Sequence, residues 1–490
     1  MKLWQSYVQM LVPISLQQHF SQDFPVTTIT DDSRKILPGS VFCAIKGAES
    51  DGHRFIDAAI AAGAQAVIIG NADYMRSDVN CILVNNAYAA YAMTAEHFFD
   101  YPASTMRVCA VTGTNGKTTT VFLLHHILSM TGNRCGLVST VKYSTGNREF
   151  PASRTTPGAY ELQALFAEMR AEKCQYALME ASSHGLDQRR IGTTRFEIGI
   201  FTNLTGDHLD YHGDMENYYL AKKLLFSTYT TGYGIINIDD PYGARLAKEL
   251  KENNTPTIIT SGFTDTADYR ITNAYTDASG ATFELINKHC SLKVKSPLAG
   301  KHNIYNLTSA LIAAELLGIS QGKYLAALEK NFSVPGRLEH YHLKNGADVY
   351  VDYAHTDDAL RNVLQSLRDL CPQRLTVVFG CGGNRDRSKR PRMAAVAAEL
   401  ADRIIITSDN PRYEDPRTII ADILKGLPAH ADYTVEPDRE TAIRLALTES
   451  ASGDIVLIAG KGHETYQEIN GELFEFDDAG LVRLTEKYSS

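Results

Sequence analysis

The sequence predicts an α/β protein in three domains built on parallel sheets. Apolar runs typical of buried strands alternate with segments of helical periodicity, and polar residues or glycines follow many of these runs. A chain of 490 residues is also too long for one ordinary core. Pro and Gly interrupt the alternation near residues 101–105 and 333–337, so we expect domains at 1–103, 104–334 and 335–490.

Composition limits the classes of protein to which the chain can belong. It is 44% hydrophobic and 21% charged, as globular proteins are, and its net charge of -9 argues against a nucleic-acid binder. The eight cysteines include no C-x-x-C pair, and several lie in apolar runs, which favours a reducing compartment. The N-terminus lacks the layout of a signal peptide, and no run is long enough to span a bilayer. We therefore expect a cytoplasmic protein without membrane insertion.

Strands of the middle region begin at residue 106. The run "MRVCAVTG" (106–113) leads through a Gly-Lys-Thr loop into "VFLLHHILSM", where apolar residues recur at helical spacing. Further apolar runs that end in polar residues are "YALME" (176–180), "EIGIFTN" (197–203) and "GIINIDDP" (234–241). Because ligands of parallel sheets bind beyond the carboxyl ends of the strands, these polar residues mark a candidate site.

The same alternation resumes after residue 336 and predicts a Rossmann-like α/β domain. Its apolar runs are "DVYVDYAHT", "LTVVFGCGGNRD", "RIIITSDNPR" and "DIVLIAGKGHE". The segment that follows the glycine pair of the second run carries four basic side chains between Arg385 and Arg390. A charge run is usually a solvated face, but after a strand and two glycines it favours an anion-facing loop.

The strongest single motif is "VTGTNGKTTT" (111–120). Between a strand and a helix, such a loop directs backbone N–H groups and the helix dipole at phosphates. Lys117 is predicted to reach the terminal phosphates, and the Thr118 hydroxyl to hold Mg²⁺. The strict P-loop pattern requires glycine where this chain has Val111. A glycine-rich helix cap formed by chance is the alternative, but strand, loop and helix in register favour a nucleoside triphosphate site.

The altered glycine pattern resembles that of the Mur ligases and the folylpolyglutamate synthetases. Residues 30–56, "TDDSRKILPGSVFCAIKGAESDGHRFI", resemble the uridine-nucleotide domain of the Mur ligases. The later motifs, in that family's order, are "SRTTPGA", "MEASSHGLDQRR", "FTNLTGDHLDYHGDMENYYLAKKLLF", "LAGKHNIYN", "VPGRLE", "DYAHTDDAL", "GCGGNRDRSKRP", "DNPRYEDP" and "GKGHETYQ". The resemblance thus covers most of the chain. One departure is Gly206, where many relatives carry a longer polar residue.

The resemblance implies an ATP-dependent carboxylate–amine ligase of peptidoglycan precursor synthesis that is a monomer. The D-glutamyl carboxylate of UDP-N-acetylmuramoyl-L-alanyl-D-glutamate would become an acyl phosphate, which an amine of meso-diaminopimelate attacks, giving ADP and phosphate. Addition of L-lysine or another diamino acid on the same scaffold stays an alternative. A folylpolyglutamate synthetase and a nucleotide-dependent switch without covalent chemistry are two further alternatives. The "DSR" segment counts against a folylpolyglutamate synthetase. The residues expected to bind metal ions, Glu180, His208 and Lys222, count against a switch.

The resemblance also implies two Mg²⁺ sites, which would help to bring two anionic substrates together. Thr118 and Glu180 would bind the Mg²⁺ of the nucleotide, and His208 a second ion near the acyl group. Lys222 would join the second site as a carbamate, because a desolvated, neutral lysine can attack carbon dioxide. Taken alone, Lys222 would be an ordinary solvated or snorkelling lysine. The candidate catalytic residues are Lys117, His208 and Lys222.

The remaining candidate residues follow from the resemblance and form three sets. The ATP set is Gly113, Thr114, Asn115, Gly116, Lys117, Thr118, Thr119, Asn303 and Asn306, with residues 352–356 approaching from the C-terminal side. The UDP-substrate set is Asp31, Ser33, Arg154, Thr155, Thr156, Ser182, Gln188 and Arg190, with Ala48 to Ser50 nearby. The diaminopimelate set is Arg390, Asp409, Asn410, Pro411, Arg412, Gly460 and Glu464. Arg390 is expected to bind the α-carboxylate of the incoming amino acid.

The stretch "SDNPRYEDP" is predicted to select the amino acid. Meso-diaminopimelate ends in an ammonium and a carboxylate, whereas lysine ends in an ammonium alone. Arg412 offers a planar fork for that carboxylate, Pro411 stiffens the loop, and Glu464 would face the distal ammonium. The alternative is a strand-end turn in which Arg412 pairs with Glu414 or Asp415.

Overall fold

The computed structural model describes residues 2–17, 23–47, 50–252, 256–277, 280–330, 332–371 and 373–488, with the side chains of the last helix described to residue 485. Its strands form three main sheets and one separate hairpin. Among these residues, no helix has both the length and the apolar character needed to cross a membrane.

The first sheet lies in the N-terminal region and has five strands. The strands are β1 (Ser15–Gln17), β2 (Thr28–Thr30), β3 (Ser40–Ala44), β4 (Ala64–Ile69) and β5 (Asn80–Leu83), and the helices are α1 (Trp4–Leu11), α2 (Ile56–Ala61) and α3 (Ala87–Phe98). The order is β1-β5-β4-β3-β2, with β2 to β5 parallel and β1 antiparallel to β5. Apolar clusters cover both faces, so the interior strand β3 is buried along its whole length.

The second sheet has eleven strands and carries the phosphate loop. The strands are β6 (Arg107–Thr112), β7 (Cys135–Val138), β8 (Lys142–Ser144), β9 (Glu149–Pro151), β10 (Tyr176–Glu180), β11 (Phe196–Phe201), β12 (Thr230–Asn237), β13 (Thr257–Gly262), β14 (Tyr269–Asp277), β15 (Gly280–Ile286) and β16 (Ser291–Ser296). The helices are α4 (Lys117–Met130), α5 (Ala159–Ala171), α6 (Ser183–Asp187), α7 (Leu209–His212), α8 (Met215–Leu224), α9 (Pro241–Lys251), α10 (Lys301–Leu316) and α11 (Gln321–Leu328). Because β6 lies between the parallel strands β10 and β11, the loops after these three strands meet at one edge of the sheet.

The third sheet lies in the C-terminal region and has six strands. The strands are β17 (Glu339–His342), β18 (Asp348–Asp352), β19 (Leu375–Phe379), β20 (Arg403–Ile406), β21 (Tyr433–Val435) and β22 (Ile455–Ala459), and β23 (Tyr466–Ile469) pairs with β24 (Glu472–Glu475) in the separate hairpin. The helices are α12 (Asp357–Arg368), α13 (Lys389–Leu400), α14 (Pro416–Leu424), α15 (Arg439–Glu449) and α16 (Asp478–Tyr488). In the order β17-β18-β22-β19-β20-β21, every pair except β17–β18 is parallel. The loops after β19, β20 and β22 therefore converge.

The prediction of α/β architecture with mostly parallel sheets is confirmed. The antiparallel strands β8, β9, β15 and β16 at the two edges of the middle sheet were not predicted. They belong to short hairpins whose half-exposed strands give a weaker periodic signal than the buried parallel ones.

Glu96 links the N-terminal region to the middle region. Its buried carboxylate accepts hydrogen bonds from the backbone N–H of Thr193 at 2.9 Å and from the hydroxyls of Thr193 and Thr194 at 2.7 and 2.9 Å. Nearby, the Phe98 ring packs against Tyr160 with centroids 5.8 Å apart. Burial raises the pKa of the Glu96 carboxyl above its ordinary value, against the opposing effect of these donors.

Candidate active site

The phosphate loop joins β6 to the first turn of α4. Gly116 adopts φ 86°, and a Cβ there would lie 2.4 Å from Asn306 Oδ1, so only glycine fits. The Lys117 ammonium donates hydrogen bonds of 2.9 Å to the carbonyls of Gly113 and Thr114. Free N–H groups at the start of α4 and a lysine at the same point suit a polyphosphate.

A cavity of about 710 Å³ opens above this loop. Nearly all of the predicted ATP set lines it: Thr114, Asn115, Gly116, Lys117, Thr118, Thr119, Asn303 and Asn306. Gly113 is not among the lining residues, but its carbonyl accepts a hydrogen bond from the Lys117 ammonium. From the C-terminal side, Tyr353 and His355 also line the cavity, as predicted for residues 352–356. The structure therefore brings the nucleotide residues together across the middle and C-terminal regions.

Two of the predicted metal ligands, Thr118 and Glu180, also line this cavity. Glu180 ends β10, and its buried carboxylate accepts hydrogen bonds from the N–H and the hydroxyl of Thr140 at 2.8 and 3.1 Å. In the described part of the chain, no group of three or more His, Cys, Asp or Glu side chains could hold a metal ion alone. A hydroxyl and a carboxylate nevertheless fit Mg²⁺, which usually completes its oxygen shell with substrate phosphates and water.

Lys222 lies on α8 and is only 1% exposed. Its Nζ donates a 2.8 Å hydrogen bond to the Gly113 carbonyl and lies 4.6 Å from the centroid of the Tyr218 ring. Burial lowers the pKa of the Lys222 ammonium well below its ordinary value, and the charge of Lys117 adds to the effect. The adjacent Lys223 is instead paired with Glu249 at 2.7 Å. The structure therefore distinguishes two lysines that look alike in the sequence.

His208 stands between the phosphate loop and the C-terminal region. Its backbone adopts φ 54°, which is uncommon outside glycine, and its side chain is 46% exposed. The ring lies edge-on to His184 with centroids 4.9 Å apart. Loss of hydration in the cleft lowers the pKa of His208 to about 4; Asp207 opposes this effect, and Lys222 and other cations add to it. A neutral imidazole is the form that binds a metal.

A second cavity, of about 770 Å³, adjoins the first, and His208 lines both. Its walls carry five residues of the UDP-substrate set and five of the diaminopimelate set: Arg154, Thr155, Thr156, Ser182, Arg190, Asp409, Asn410, Arg412, Gly460 and Glu464. The two substrate sets therefore face each other across one cleft next to the nucleotide cavity.

Three residues of the UDP-substrate set lie outside both cavity walls. Gln188 lies behind Arg190 and accepts hydrogen bonds from its Nε and Nη2 at 3.1 and 2.7 Å. Burial lowers the pKa of Arg190, and the negative charge of Asp31 partly offsets this effect. Ser33 begins a short turn that runs to residue 35 in the N-terminal region. The predicted contact at Ala48 falls outside the described residues.

Lys461 contacts the loop that follows β20 and fixes its Asn410 side chain. The buried ammonium of Lys461 donates to Asn410 Oδ1 at 3.0 Å and lies 3.2 Å from Glu464 Oε2. Asn410 in turn donates to Glu464 Oε2 at 2.8 Å. A Cβ on Gly460 would lie 2.5 Å from Asp409 Oδ2, so glycine lets that carboxylate approach. The chain thus holds two carboxylates and an amide at one end of the cavity.

The strand-end turn considered as the alternative required Arg412 to pair with Glu414 or Asp415. Arg412 pairs with neither of them. Its Nε lies 3.0 Å from Glu468 Oε2, and its Nη1 donates to the Gly383 carbonyl at 3.0 Å. The backbone adopts φ 52°, a conformation that is uncommon outside glycine and is often found at functional sites. The Arg412 side chain therefore borders the cavity in a fixed orientation.

The structure does not support the prediction that Arg390 binds the incoming α-carboxylate. Its side chain is fully buried and forms ion pairs of 3.0 Å with Glu414 and Asp422. A guanidinium enclosed by two carboxylates has no face open to a ligand. The sequence could not place this side chain, because residue 390 lies in the first turn of α13 and faces α14. From the same segment of the chain, the basic side chains that do line the second cavity are Arg385, Lys389 and Arg392.

Sequence reasoning missed Asp358, which joins the phosphate loop to the C-terminal region. Its Oδ2 accepts hydrogen bonds of 2.9 Å from Asn115 Nδ2 and from the Thr205 hydroxyl. Burial raises the pKa of Asp358. In the sequence, this residue is indistinguishable from an acid in the first turn of a helix.

Comparison with known proteins assigns the chain to a family. Family models for the "Mur ligase family, catalytic domain", the "Mur ligase middle domain" and the "Mur ligase, glutamate ligase domain" match residues 25–98, 111–314 and 336–462. The UDP-N-acetylmuramoyl-L-alanyl-D-glutamate--2,6-diaminopimelate ligase of Geobacillus kaustophilus is 40% identical over 477 residues, which is 96% of each chain. The chain belongs to the Mur ligase family. The ligase of the same name from Gloeobacter violaceus is 42% identical over 481 residues, or 97% of this chain and 96% of that one.

Membership of the Mur ligase family makes the chain an ATP-dependent ligase and confirms the resemblance seen in the sequence. A solved structure of a UDP-N-acetylmuramoyl-L-alanyl-D-glutamate--2,6-diaminopimelate ligase matches with a TM-score of 0.68 and 36% identity, covering 94% of this chain and 95% of that one. The three-domain α/β organisation is therefore that of a Mur ligase. A nucleotide switch without covalent chemistry is not supported.

Proposed function

We propose that the chain joins meso-diaminopimelate to the D-glutamyl carboxylate of UDP-N-acetylmuramoyl-L-alanyl-D-glutamate, with hydrolysis of ATP to ADP and phosphate. One observation carries the proposal. In a chain 40% identical to ligases named for this reaction, a phosphate-loop cavity adjoins a second cavity that is walled by Arg412 and Glu464. The first cavity would take ATP, and the second would take the carboxylate and the amine.

The bond is made in two displacements. A carboxylate oxygen attacks the γ-phosphorus and ADP leaves, which gives an acyl phosphate. The amine then attacks the carbonyl carbon, phosphate leaves with that oxygen, and the amine loses a proton. Lys117 and the N–H groups of α4 would stabilise the negative charge that builds up on the phosphoryl group. Asn303 and Asn306, which also line the first cavity, would contact adenosine.

Two Mg²⁺ ions would neutralise the phosphates and polarise the carboxylate when bound. Thr118 and Glu180 have the oxygen donors for one ion. For the other, His208 is neutral at physiological pH, as its lowered pKa indicates. Lys222 would supply a carboxylate after modification: its neutral amine attacks the carbon of carbon dioxide and releases a proton, which forms a carbamate. The support for this modification is its burial and its lowered pKa.

Recognition of the amino acid favours diaminopimelate over lysine. The distal carboxylate would bind the Arg412 guanidinium, and the distal ammonium would bind Glu464, the partly buried carboxylate beside Asn410. Lysine would leave the Nη donors of Arg412 without the distal carboxylate, a loss that polar sites discriminate strongly. In place of Arg390, we propose that Arg385 binds the α-carboxylate of the incoming amino acid, because Arg385 lines the second cavity.

The UDP end of the substrate would extend toward the N-terminal region. Arg154 and Arg190 carry the positive charge that suits a diphosphate, and Thr155, Thr156 and Ser182 line the same wall. Asp31 and Ser33 would contact the nucleoside. We further propose a cytoplasmic monomer with domains at 1–103, 104–334 and 335–490.

The test is phosphate release by the purified protein. We expect turnover only when ATP, UDP-muramoyl dipeptide and meso-diaminopimelate are all present. With ¹⁸O in the D-glutamyl carboxylate, one labelled oxygen should appear in the phosphate. Phosphate release without an amine, or phosphate free of label, would overturn the proposed reaction.

A further inference from the structure

The hairpin of β23 and β24 forms a support beneath the loop that carries Arg412. The Arg412 N–H donates to the Glu468 carbonyl at 3.0 Å, and the Asn470 N–H donates to the Arg412 carbonyl at 2.7 Å. The Gln467 amide adds a 2.6 Å hydrogen bond to the Asp409 carbonyl. The hairpin therefore fixes the backbone of the loop at the residue with φ 52°.

One side chain of the hairpin also fixes the guanidinium. Glu468 Oε2 lies 3.0 Å from Arg412 Nε, and the Gly383 carbonyl accepts from Nη1 at 3.0 Å. An ion pair at Nε and a hydrogen bond at Nη1 together restrict the orientation of the guanidinium. Arg412 lines the second cavity and Glu468 does not, so the Glu468 carboxylate contacts Arg412 from outside the cavity wall. Within the described residues, the donors that remain on Nη1 and Nη2 have no other protein partner.

We propose that Glu468 is a positioning residue that sets the selectivity of the ligase for an amino acid with a distal carboxylate. The inference rests on the proposed function. Glu468 holds the Nε edge of Arg412, so the guanidinium presents its Nη edge to the cavity before the amino acid arrives. Without Glu468, the long arginine side chain must be ordered at binding, which weakens recognition of the carboxylate.

An ordinary ion pair at the surface is the competing interpretation. The side chains of Arg412 and Glu468 are 21% and 25% exposed, and pairs of this kind contribute little to folding. A structural role would change the melting temperature or the kinetics of every substrate alike. A positioning role changes only the kinetics that depend on the distal carboxylate, so the two interpretations predict different measurements.

Charge and geometry can also be separated. The negative charge of Glu468 repels the carboxylate of the amino acid, whereas its position orders Arg412. Glu468→Gln keeps a side-chain oxygen of the same reach beside Nε and removes the charge, and Glu468→Ala removes both. Glu472 provides a matched control, because it is an exposed carboxylate in the same hairpin.

The experiment measures KM and kcat for meso-diaminopimelate at saturating ATP and UDP-muramoyl dipeptide. We expect Glu468→Ala to raise the KM about ten-fold, with kcat and the KM for ATP within about two-fold of wild type. Glu468→Gln should restore the KM to within about three-fold of wild type or below it, and Glu472→Gln should change nothing. With L-lysine, kcat/KM should be the same for all four proteins, and so should the melting temperature.

An unchanged or lower KM in Glu468→Ala would overturn the inference, as would an equal loss with lysine. A Glu468→Gln variant as poor as Glu468→Ala would also overturn it, because a side-chain oxygen beside Nε would then not suffice to orient Arg412. Wild-type protein that fails to ligate meso-diaminopimelate would refute the proposed function, and this inference with it. Normal wild-type turnover with unaffected variants would refute the inference alone.

Discussion

Arg412→Ala removes the guanidinium from the second cavity while leaving the backbone of its loop unchanged. Alanine keeps the Cβ, so the strain of φ 52° is the same in both proteins. The two backbone hydrogen bonds to the hairpin, at 3.0 and 2.7 Å, do not involve the side chain. The lost ion pair with Glu468 is partly exposed and contributes about 0–1 kcal/mol to folding. We therefore expect a folded protein with a melting temperature close to that of wild type.

The cost to recognition follows from the donors that Arg412 offers. Its Nε and one Nη1 donor are engaged with Glu468 and Gly383, which leaves the Nη edge for a carboxylate. Two charge-assisted hydrogen bonds contribute about 1.5–3 kcal/mol each, and the remaining exposure reduces the sum to about 3–4 kcal/mol. At 1.4 kcal/mol per factor of ten, kcat/KM for meso-diaminopimelate should fall about 10²- to 10³-fold.

The assay is phosphate release at saturating ATP and UDP-muramoyl dipeptide, with meso-diaminopimelate varied. Arg417→Ala is the matched control, because Arg417 is an exposed arginine at the start of α14 that lies outside the cavity wall. The KM for ATP should be unchanged in both variants. A kcat/KM for Arg412→Ala within about three-fold of the control would refute the role of Arg412 in recognition.

Other predictions concern the phosphate loop, the buried lysine and the link between regions. Lys117→Ala should lower turnover about 10²-fold or more without unfolding, since its partners are carbonyls of its own loop; near-normal phosphate release would contradict this. Lys222→Ala should collapse the rate, short-chain carboxylic acids should restore part of it, and Lys223→Ala should be nearly normal; a bare Lys222 amine in the electron density of crystals of active enzyme would exclude the carbamate. Folding raises the pKa of the Glu96 carboxyl above 4.5. The free energy of unfolding that this carboxyl contributes is therefore fully present below pH 4.5, and it is lost as the pH rises through the pKa of Glu96 in the folded protein. Denaturant unfolding of Glu96→Gln should lack this pH dependence, and an unaltered profile would contradict it.

The sequence predicts the central architecture because parallel strands leave a strong signal. Strands such as β6, β10 and β22 are buried on both faces, so each is an unbroken apolar run that ends at a polar motif. The edge hairpins and the pairing order of the eleven strands depend on tertiary contacts that a local pattern does not contain. Sequence alone therefore locates the strand ends that carry the site, but not the full sheet.

A part of the candidate site can be predicted from sequence when its residues lie close together in the chain. The phosphate loop is such a part, since its glycines and Lys117 lie within a few residues of one another. Arg390 illustrates the limit, because only the packing of α13 on α14 decides which arginine of a basic segment is buried. Lys222 and Lys223 differ in burial and in their partners, and Glu468 contacts Arg412 across 56 positions of sequence, so no local pattern reveals either relation.

The most direct test of the assigned reaction is a competition between two amino acids. The purified protein receives ATP, UDP-N-acetylmuramoyl-L-alanyl-D-glutamate, and meso-diaminopimelate and L-lysine at equal concentrations. The mass spectrum of the nucleotide product should show the diaminopimelate adduct in excess of about 10²-fold over the lysine adduct, because lysine has no distal carboxylate for the Nη donors of Arg412. A product that carries mainly lysine would contradict the account.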